Sequence, residues 1–223
     1  MKYEYNSTSV DIPLEGHTNI GIRFSGGADS SILLALICET IMRLGIQNTS
    51  KVYAMTVYWD PPVKKYYSSS VIEYIKSIYS SVDITHILTP CEYPWQHMKT
   101  QQKIMSDLYS GGDITIAFSG VTKNPPGPEV GWGDSWELRD RDRDSDDEKC
   151  FIIRSDNLQI VRPFIQIDKR GVSDMYKLLN LQDSLFPITW SCEGATKVNN
   201  YYQKHCGECW WCKEREWGFG RLE

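Results

Sequence analysis

Asn19-Ile20-Gly21-Ile22-Arg23-Phe24-Ser25-Gly26-Gly27-Ala28-Asp29-Ser30-Ser31-Ile32 decides how this 223-residue chain is read. Residues 19–24 alternate as a strand does. Residues 25–31 are small and glycine-rich, the composition of a tight turn. From 32 to 44, Ile32, Leu33, Leu36, Ile37, Ile41 and Leu44 recur at helical spacing, and Gly45 stands where a C-cap glycine belongs. A strand feeding a helix through such a turn makes an anion site. The first helical turn has unpaired N–H groups and the positive end of the dipole. Two consecutive glycines, Gly26 and Gly27, let the backbone approach an anion with no Cβ in the way. Ser25, Ser30 and Ser31 add hydroxyls. Asp29 is a poor neighbour for a bare phosphate but suits one bridged by Mg²⁺. A Gly-Gly turn alone would usually be only a turn; the full string in this setting is far more specific. It is not a Walker A loop, because no Gly-Lys-[Ser/Thr] is present.

Working outward, the alternation continues. Strands are expected at 51–58, 83–88, 113–119 and 158–162, and helices at 68–79, 94–109 and 168–179. Strand–helix units of this size predict an α/β fold with a doubly wound, mostly parallel five-stranded sheet covered on both faces. Residues 1–18 read as a polar N-terminal extension with room for one or two short strands, 19–185 as the main domain, and 186–223 as a small C-terminal subdomain. A long loop rich in Pro, Gly and charge covers 120–150, in which arginines alternate with aspartates. For its charge-dense stretch, residues 134–149, the bland reading is a solvated loop and the sharper one a mobile lid or a partner contact. Trp132, Trp136, Trp210 and Trp211 are candidates for stacking on a purine ring.

Lys and Arg number 24 against 29 Asp and Glu, a net charge of −5. That balance speaks against a globally basic nucleic-acid binder while leaving a local basic patch open, and no direct nucleic-acid contact is expected. No apolar run reaches the ~18 residues a membrane span needs. The N-terminus lacks the apolar stretch of a signal peptide. A cytoplasmic protein is expected.

Of seven cysteines, four crowd the C-terminus: Cys192, Cys206, Cys209 and Cys212. An odd total fits a disulfide framework poorly. Two overlapping C-x₂-C steps with a fourth cysteine upstream can close a tetrahedral shell around Zn²⁺. An iron–sulfur cluster is the rival metal, and free thiols or a disulfide pair the metal-free alternative.

The words around these motifs narrow the reading. The string Ser-Gly-Gly-x-Asp-Ser-Ser resembles the pyrophosphate loop of the N-type ATP pyrophosphatases, the PP-loop superfamily with its Rossmann-like domain. Thr189-Trp190-Ser191-Cys192 followed by Cys206-Gly207-Glu208-Cys209-Trp210-Trp211-Cys212 resembles the C-terminus of the 7-cyano-7-deazaguanine synthases. In that family these two segments supply four zinc ligands. The resemblance implies an ATP-dependent ligase that adenylates 7-carboxy-7-deazaguanine and uses ammonia to reach the 7-cyano base. It implies ATP, Mg²⁺ and Zn²⁺ as cofactors. It places Ser25, Gly26, Gly27, Ala28, Ser30 and Ser31 on the phosphates, Thr56 and Val57 beside the adenine, and Gly120 in the turn after the fourth strand. Asp29, on Mg²⁺, and Lys169, on the phosphates or adenylate, are its candidate catalytic residues. Dimers are common in the family, which leaves a homodimer open.

The chain also departs from that pattern. Arg23 stands where relatives usually carry an apolar residue. The family's Pro-x-Arg-Asn element is replaced by Lys99-Thr100-Gln101-Gln102-Lys103-Ile104. Its Ser-Gly-Tyr-Pro-Asp-Cys-Arg segment is replaced by residues 121–128. Both elements shape the base pocket, so the acceptor stays open between the deazapurine acid and another carboxylate. The competing functions are an amide-forming ligase, a tRNA-thiolating relative, and a zinc adaptor without catalysis. The intact loop speaks against the adaptor, and the acidic balance against a tRNA partner.

Overall fold

The computed structural model describes residues 1–131, 150–153, 156–192 and 204–223. The strand–turn–helix unit that opens the reading is present as β3 (Asn19–Arg23) and α1 (Ala28–Leu44), after a hairpin of β1 (Lys2–Tyr5) and β2 (Thr8–Asp11). Then come β4 (Lys51–Tyr58), α2 (Val63–Ile78), β5 (Asp83–Pro90), α3 (His97–Ser110) and β6 (Ile116–Ser119). The chain continues with β7 (Phe151–Ile153), β8 (Gln159–Val161), α4 (Lys169–Leu178) and α5 (Trp210–Phe219).

The main sheet runs β5-β4-β3-β6-β8-β7. Its first five strands are parallel, as the alternation predicts; β7 adds an antiparallel edge strand that the sequence pattern does not announce. The helices divide between the two faces. Apolar residues of α1, α2 and α4 share one core with Ile20, Ile22, Val52 and Ala54 of the sheet. Met105 of α3 packs on the other face with Met55, Ala117 and Ile160. The chain leaves β3 toward β4 on one side, and β6 pairs on the other, so β3 and β6 flank the switch point. In such sheets ligands bind beyond the carboxyl ends of the strands at that point.

α1 is buried nearly all round because it is covered twice, by the sheet and by the N-terminal hairpin with α4. Gly45 caps it at φ +67°, donating its N–H to Ile41 and Met42 carbonyls. Asp168 caps α4, its carboxylate accepting from the Arg170 and Gly171 amides. The hairpin is part of the main core. Tyr3, Val10, Ile12 and Leu14 are buried in it, and the Tyr3 hydroxyl lies 2.7 Å from Thr40 Oγ1 of α1. The shortness of its strands hid this, because four residues give only two inward side chains each. If the hairpin belongs to the same cooperative unit, Ile12→Ala destabilises the whole fold by about 2–5 kcal/mol. Urea unfolding followed by both tryptophan fluorescence and far-UV circular dichroism should show one shifted transition; a loosely attached extension would leave the midpoint unmoved.

Candidate nucleotide site and cysteine cluster

At the carboxyl ends of β3 and β6 lies a cavity of about 340 Å³. Ser25, Gly27, Ala28, Asp29 and Ser30 line it from the loop, and Ser119 and Gly120 from β6. The loop is shaped by close approaches. Gly26 has φ +74°, and a Cβ there would lie 2.6 Å from the Ser68 backbone nitrogen of α2. Its carbonyl accepts the Trp190 N–H at 2.9 Å. Gly27 caps α1 with no side-chain acceptor. In place of a cap, a hydroxyl circuit holds the turn. The Gly27 N–H donates to Ser25 Oγ at 3.2 Å, Ser25 Oγ and Ser30 Oγ are 3.1 Å apart, and Ser30 Oγ donates to the Gly27 carbonyl at 3.2 Å. Helix geometry leaves the amides of Ala28, Asp29 and Ser30 without intrahelical acceptors beside this circuit. On the other side Gly120 touches the helix start, since a Cβ there would meet the Asp29–Ser30 peptide at 3.2 Å.

Not every expected loop residue faces the cavity. Ser31 is fully buried on the packed side of α1, outside the cavity lining, and its hydroxyl has no hydrogen-bond partner among the described residues. Thr56 and Val57 are buried too and lie outside the lining. The Thr56 hydroxyl donates to the Phe24 carbonyl at 2.8 Å and sits 2.9 Å from His86 Nε2, which must therefore carry the proton between them. Burial, with Lys76 nearby, pushes the His86 pKa down to about 4 from 6.5. Above pH 6.5 the ring is neutral in folded and unfolded chains alike. Between pH 6.5 and 4 the unfolded chain takes the proton first, so stability falls with pH across that window. The loss is about 1–2 kcal/mol once solvent screening of the partly exposed ring is allowed for. His86→Gln should flatten the slope of unfolding free energy against pH over that range; an unchanged slope would contradict this assignment.

Asp29 and Lys169, 140 residues apart in sequence, meet at the cavity. Lys169 Nζ donates to both carboxylate oxygens at 2.7 and 2.6 Å. Glu214 of α5, fully buried, stands 3.9 Å from the same ammonium and also lines the cavity. The Asp29 and Glu214 carboxylates offer oxygens that could hold a divalent cation, while Arg23 and Lys64 line the same cavity beside Lys169 and suit an anion. The Lys169 side chain is clamped by backbone, because a Cβ at Gly218 would lie 2.5 Å from its Cγ. Sequence reasoning missed Glu214, whose only mark is its place two residues after Cys212.

Cys192, Cys206, Cys209 and Cys212 converge, with all four Sγ atoms within 4.8 Å of one another. The Cys212 thiol is pushed far above its ordinary pKa by hydrogen bonds with Cys192 and Cys209 and by burial. Thiols so crowded resist ionising unless a cation compensates them. The cluster is tied to the cavity roof. Trp190, Ser191, Cys192 and Trp211 all line the cavity. Trp190 stacks between Tyr67 at 4.5 Å and His205 at 4.5 Å, and its indole N–H donates to the Cys192 carbonyl at 2.9 Å. Fully buried Arg215 clamps the roof from α5. It donates to the Phe186 and Leu222 carbonyls and to the Thr189 and Ser191 hydroxyls, with its guanidinium 3.8 Å over the Phe186 ring. Burial lowers its pKa to about 10, so it remains charged at neutral pH. Trp132, Trp136 and most of the charged 120–150 loop lie outside the described residues. Among the described residues no helix is long and apolar enough to cross a membrane.

No curated protein matches the chain. A solved structure of the U34-tRNA thiolase NcsA from Methanococcus maripaludis, with its [4Fe-4S] cluster, superposes with a TM-score of 0.50 at 12% identity, over 90% of this chain and 69% of that one. Two others reach only 0.43. They are an FMN adenylyltransferase from Candida glabrata (15% identity, 71% and 48% covered) and an NAD⁺ synthetase from Burkholderia pseudomallei (13%, 94% and 76%). The model of the family "Queuosine biosynthesis protein QueC" matches residues 148–223. The resemblance to the 7-cyano-7-deazaguanine synthases thus holds over the C-terminal third of the chain, and the chain shares its fold with the tRNA thiolase.

Proposed function

We propose that this protein adenylates a carboxylic acid with ATP and passes the activated acyl group to ammonia, and that the acid is 7-carboxy-7-deazaguanine. The observation that carries the reading is the α1 N-terminus, where open first-turn amides and the Ser25–Ser30 hydroxyl pair face a cavity under the QueC-like roof. A carboxylate oxygen leaves badly and AMP leaves well, so activation is the task of the site. The acid's carboxylate attacks the α-phosphorus and pyrophosphate departs. Ammonia then attacks the acyl carbon, loses a proton, and displaces AMP to give the amide. A second adenylation on the amide oxygen allows AMP to leave with loss of the two amide protons, giving the nitrile.

The loop amides of Ala28, Asp29 and Ser30 would hold the departing pyrophosphate. Lys169, fixed by Gly218 and shared between Asp29 and Glu214, would balance negative charge as it develops. Asp29 and Glu214 would hold Mg²⁺ against the phosphates, where it would neutralise oxygen charge. Ser31, Thr56 and Val57 take no side-chain part. In a test, purified protein is given ATP, Mg²⁺, ammonium and 7-carboxy-7-deazaguanine. The expected products are AMP, pyrophosphate and a nitrile, identified by mass. AMP formation with a different acid only would move the substrate assignment; no AMP with any acid would remove the reading.

The four cysteines would hold Zn²⁺ as a closed structural site. Zn–S bonds of ~2.3 Å put tetrahedral thiolates roughly 3.8 Å apart. The 3.7 Å between Cys206 and Cys212 and the 4.8 Å limit for the set agree with one ion. A four-iron cube, with irons and sulfides inside the shell, holds its thiolates farther apart. Native mass spectrometry should find one zinc per chain and none in Cys212→Ser. Stoichiometric iron and inorganic sulfide in anaerobically purified protein would contradict it.

A further inference from the structure

One wall of the cavity is unlike the rest. Arg23 closes β3 and Ser119 closes β6, and the two are directly paired across the sheet. Both sit on the α3 face: a Cβ at Gly21, two residues before Arg23, would meet Ile114 and Met55 of the α3-side core. Above them α3 carries Met98, Gln101 and Met105 along one stripe. Met105 belongs to the apolar core, while Met98 and Gln101 line the cavity. Gln101 therefore stands at a core position of an amphipathic helix, where the pattern calls for an apolar side chain.

Gln101 is 7% exposed and Ser119 5%. No hydrogen bond holds either side chain among the described residues, and their polar atoms remain accessible where they line the cavity. Polar side chains that line a cavity and have no protein partner keep their donors and acceptors for a ligand. Two such groups on one wall mark a place where a ligand completes the bonding. Ser31 is also unpartnered, but it lies away from the cavity and marks nothing there.

We infer that Gln101, with Ser119 beside it, reads the acceptor acid, and that this acid presents a lactam edge, an N–H next to a C=O. A primary amide offers one acceptor oxygen and two N–H donors, so a side-by-side donor and acceptor is the edge it pairs with twice. The Ser119 hydroxyl serves a third polar atom, and the thioether of Met98 packs on a flat ring. The acid's carboxylate then points along the cavity toward the α1 N-terminus. This assignment rests on the adenylation reading of the cavity and gives it a specificity-determining residue in the segment where the resemblance fails.

The test measures binding of 7-deazaguanine and of its 6-O-methyl derivative, which lacks the lactam N–H, to wild type, Gln101→Met and Ser119→Ala. Gln101→Met keeps the volume and removes an unpartnered amide, so its Tm should equal or exceed that of wild type. Wild type should prefer 7-deazaguanine by at least about tenfold, and Gln101→Met should bring that ratio to about one. Ser119→Ala should weaken both bases, and it serves the test should Gln101→Met not fold. Equal binding of the two bases by wild type, or an unchanged preference in folded Gln101→Met, would overturn the inference. Affinity for a non-hydrolysable ATP analogue is titrated separately. Loss of that affinity with base discrimination intact would sink the adenylation reading and leave Gln101's role standing.

Discussion

The contact between Lys169 and Asp29 is the constraint on which the site depends. It joins the first turn of α1 to the first turn of α4, and Glu214 brings in α5. A buried ammonium is tolerated only when its charge is met by hydrogen-bonded partners at close range. Here bidentate pairing with Asp29 meets it, and the glycine at 218 lets α5 come close enough for Glu214 to share it. The loop, the last parallel strand's helix and the cysteine-bearing segment are thereby brought to one point. Their arrangement is fixed by these contacts, so a ligand of the cavity would meet a preformed site.

A second set of contacts makes the roof. Trp190 donates its backbone N–H to Gly26 and stacks its ring between Tyr67 and His205. His205 accepts from the Ser191 amide at Nε2 and so presents its Nδ1 proton to Glu223. Arg215 ties the same segment to the core from below. The four cysteines gather the end of this roof segment to the start of α5.

Local pattern made much of this legible in advance. Strand alternation, the helical stripe of α1 with its terminal glycine, and the crowded cysteines are short-range signals, and each survives into the structure. What escaped was long-range or disguised. The pairing of Asp29 with Lys169 spans 140 residues and no periodicity records it. The α5 helix hid because its buried side includes Glu214 and Arg215, so its inner and outer faces look equally polar. The hairpin hid because its strands are four residues long. The side chains of Ser31 and Thr56 lie outside the cavity lining for a different reason. A motif names residue types, but helix phase and strand pleat decide which of them turn inward. Gln101 is the reverse case, a polar residue whose position on the helix stripe could have been noticed beforehand.

The central claim is that an acid's oxygen attacks the α-phosphorus of ATP in the cavity at the α1 N-terminus. The most direct measurement follows that oxygen. With ¹⁸O placed in the carboxylate of 7-carboxy-7-deazaguanine, turnover with ATP and ammonium should yield AMP carrying one ¹⁸O atom per first adenylation, with unlabelled pyrophosphate. Unlabelled AMP, or ADP and labelled phosphate as the products, would contradict the account.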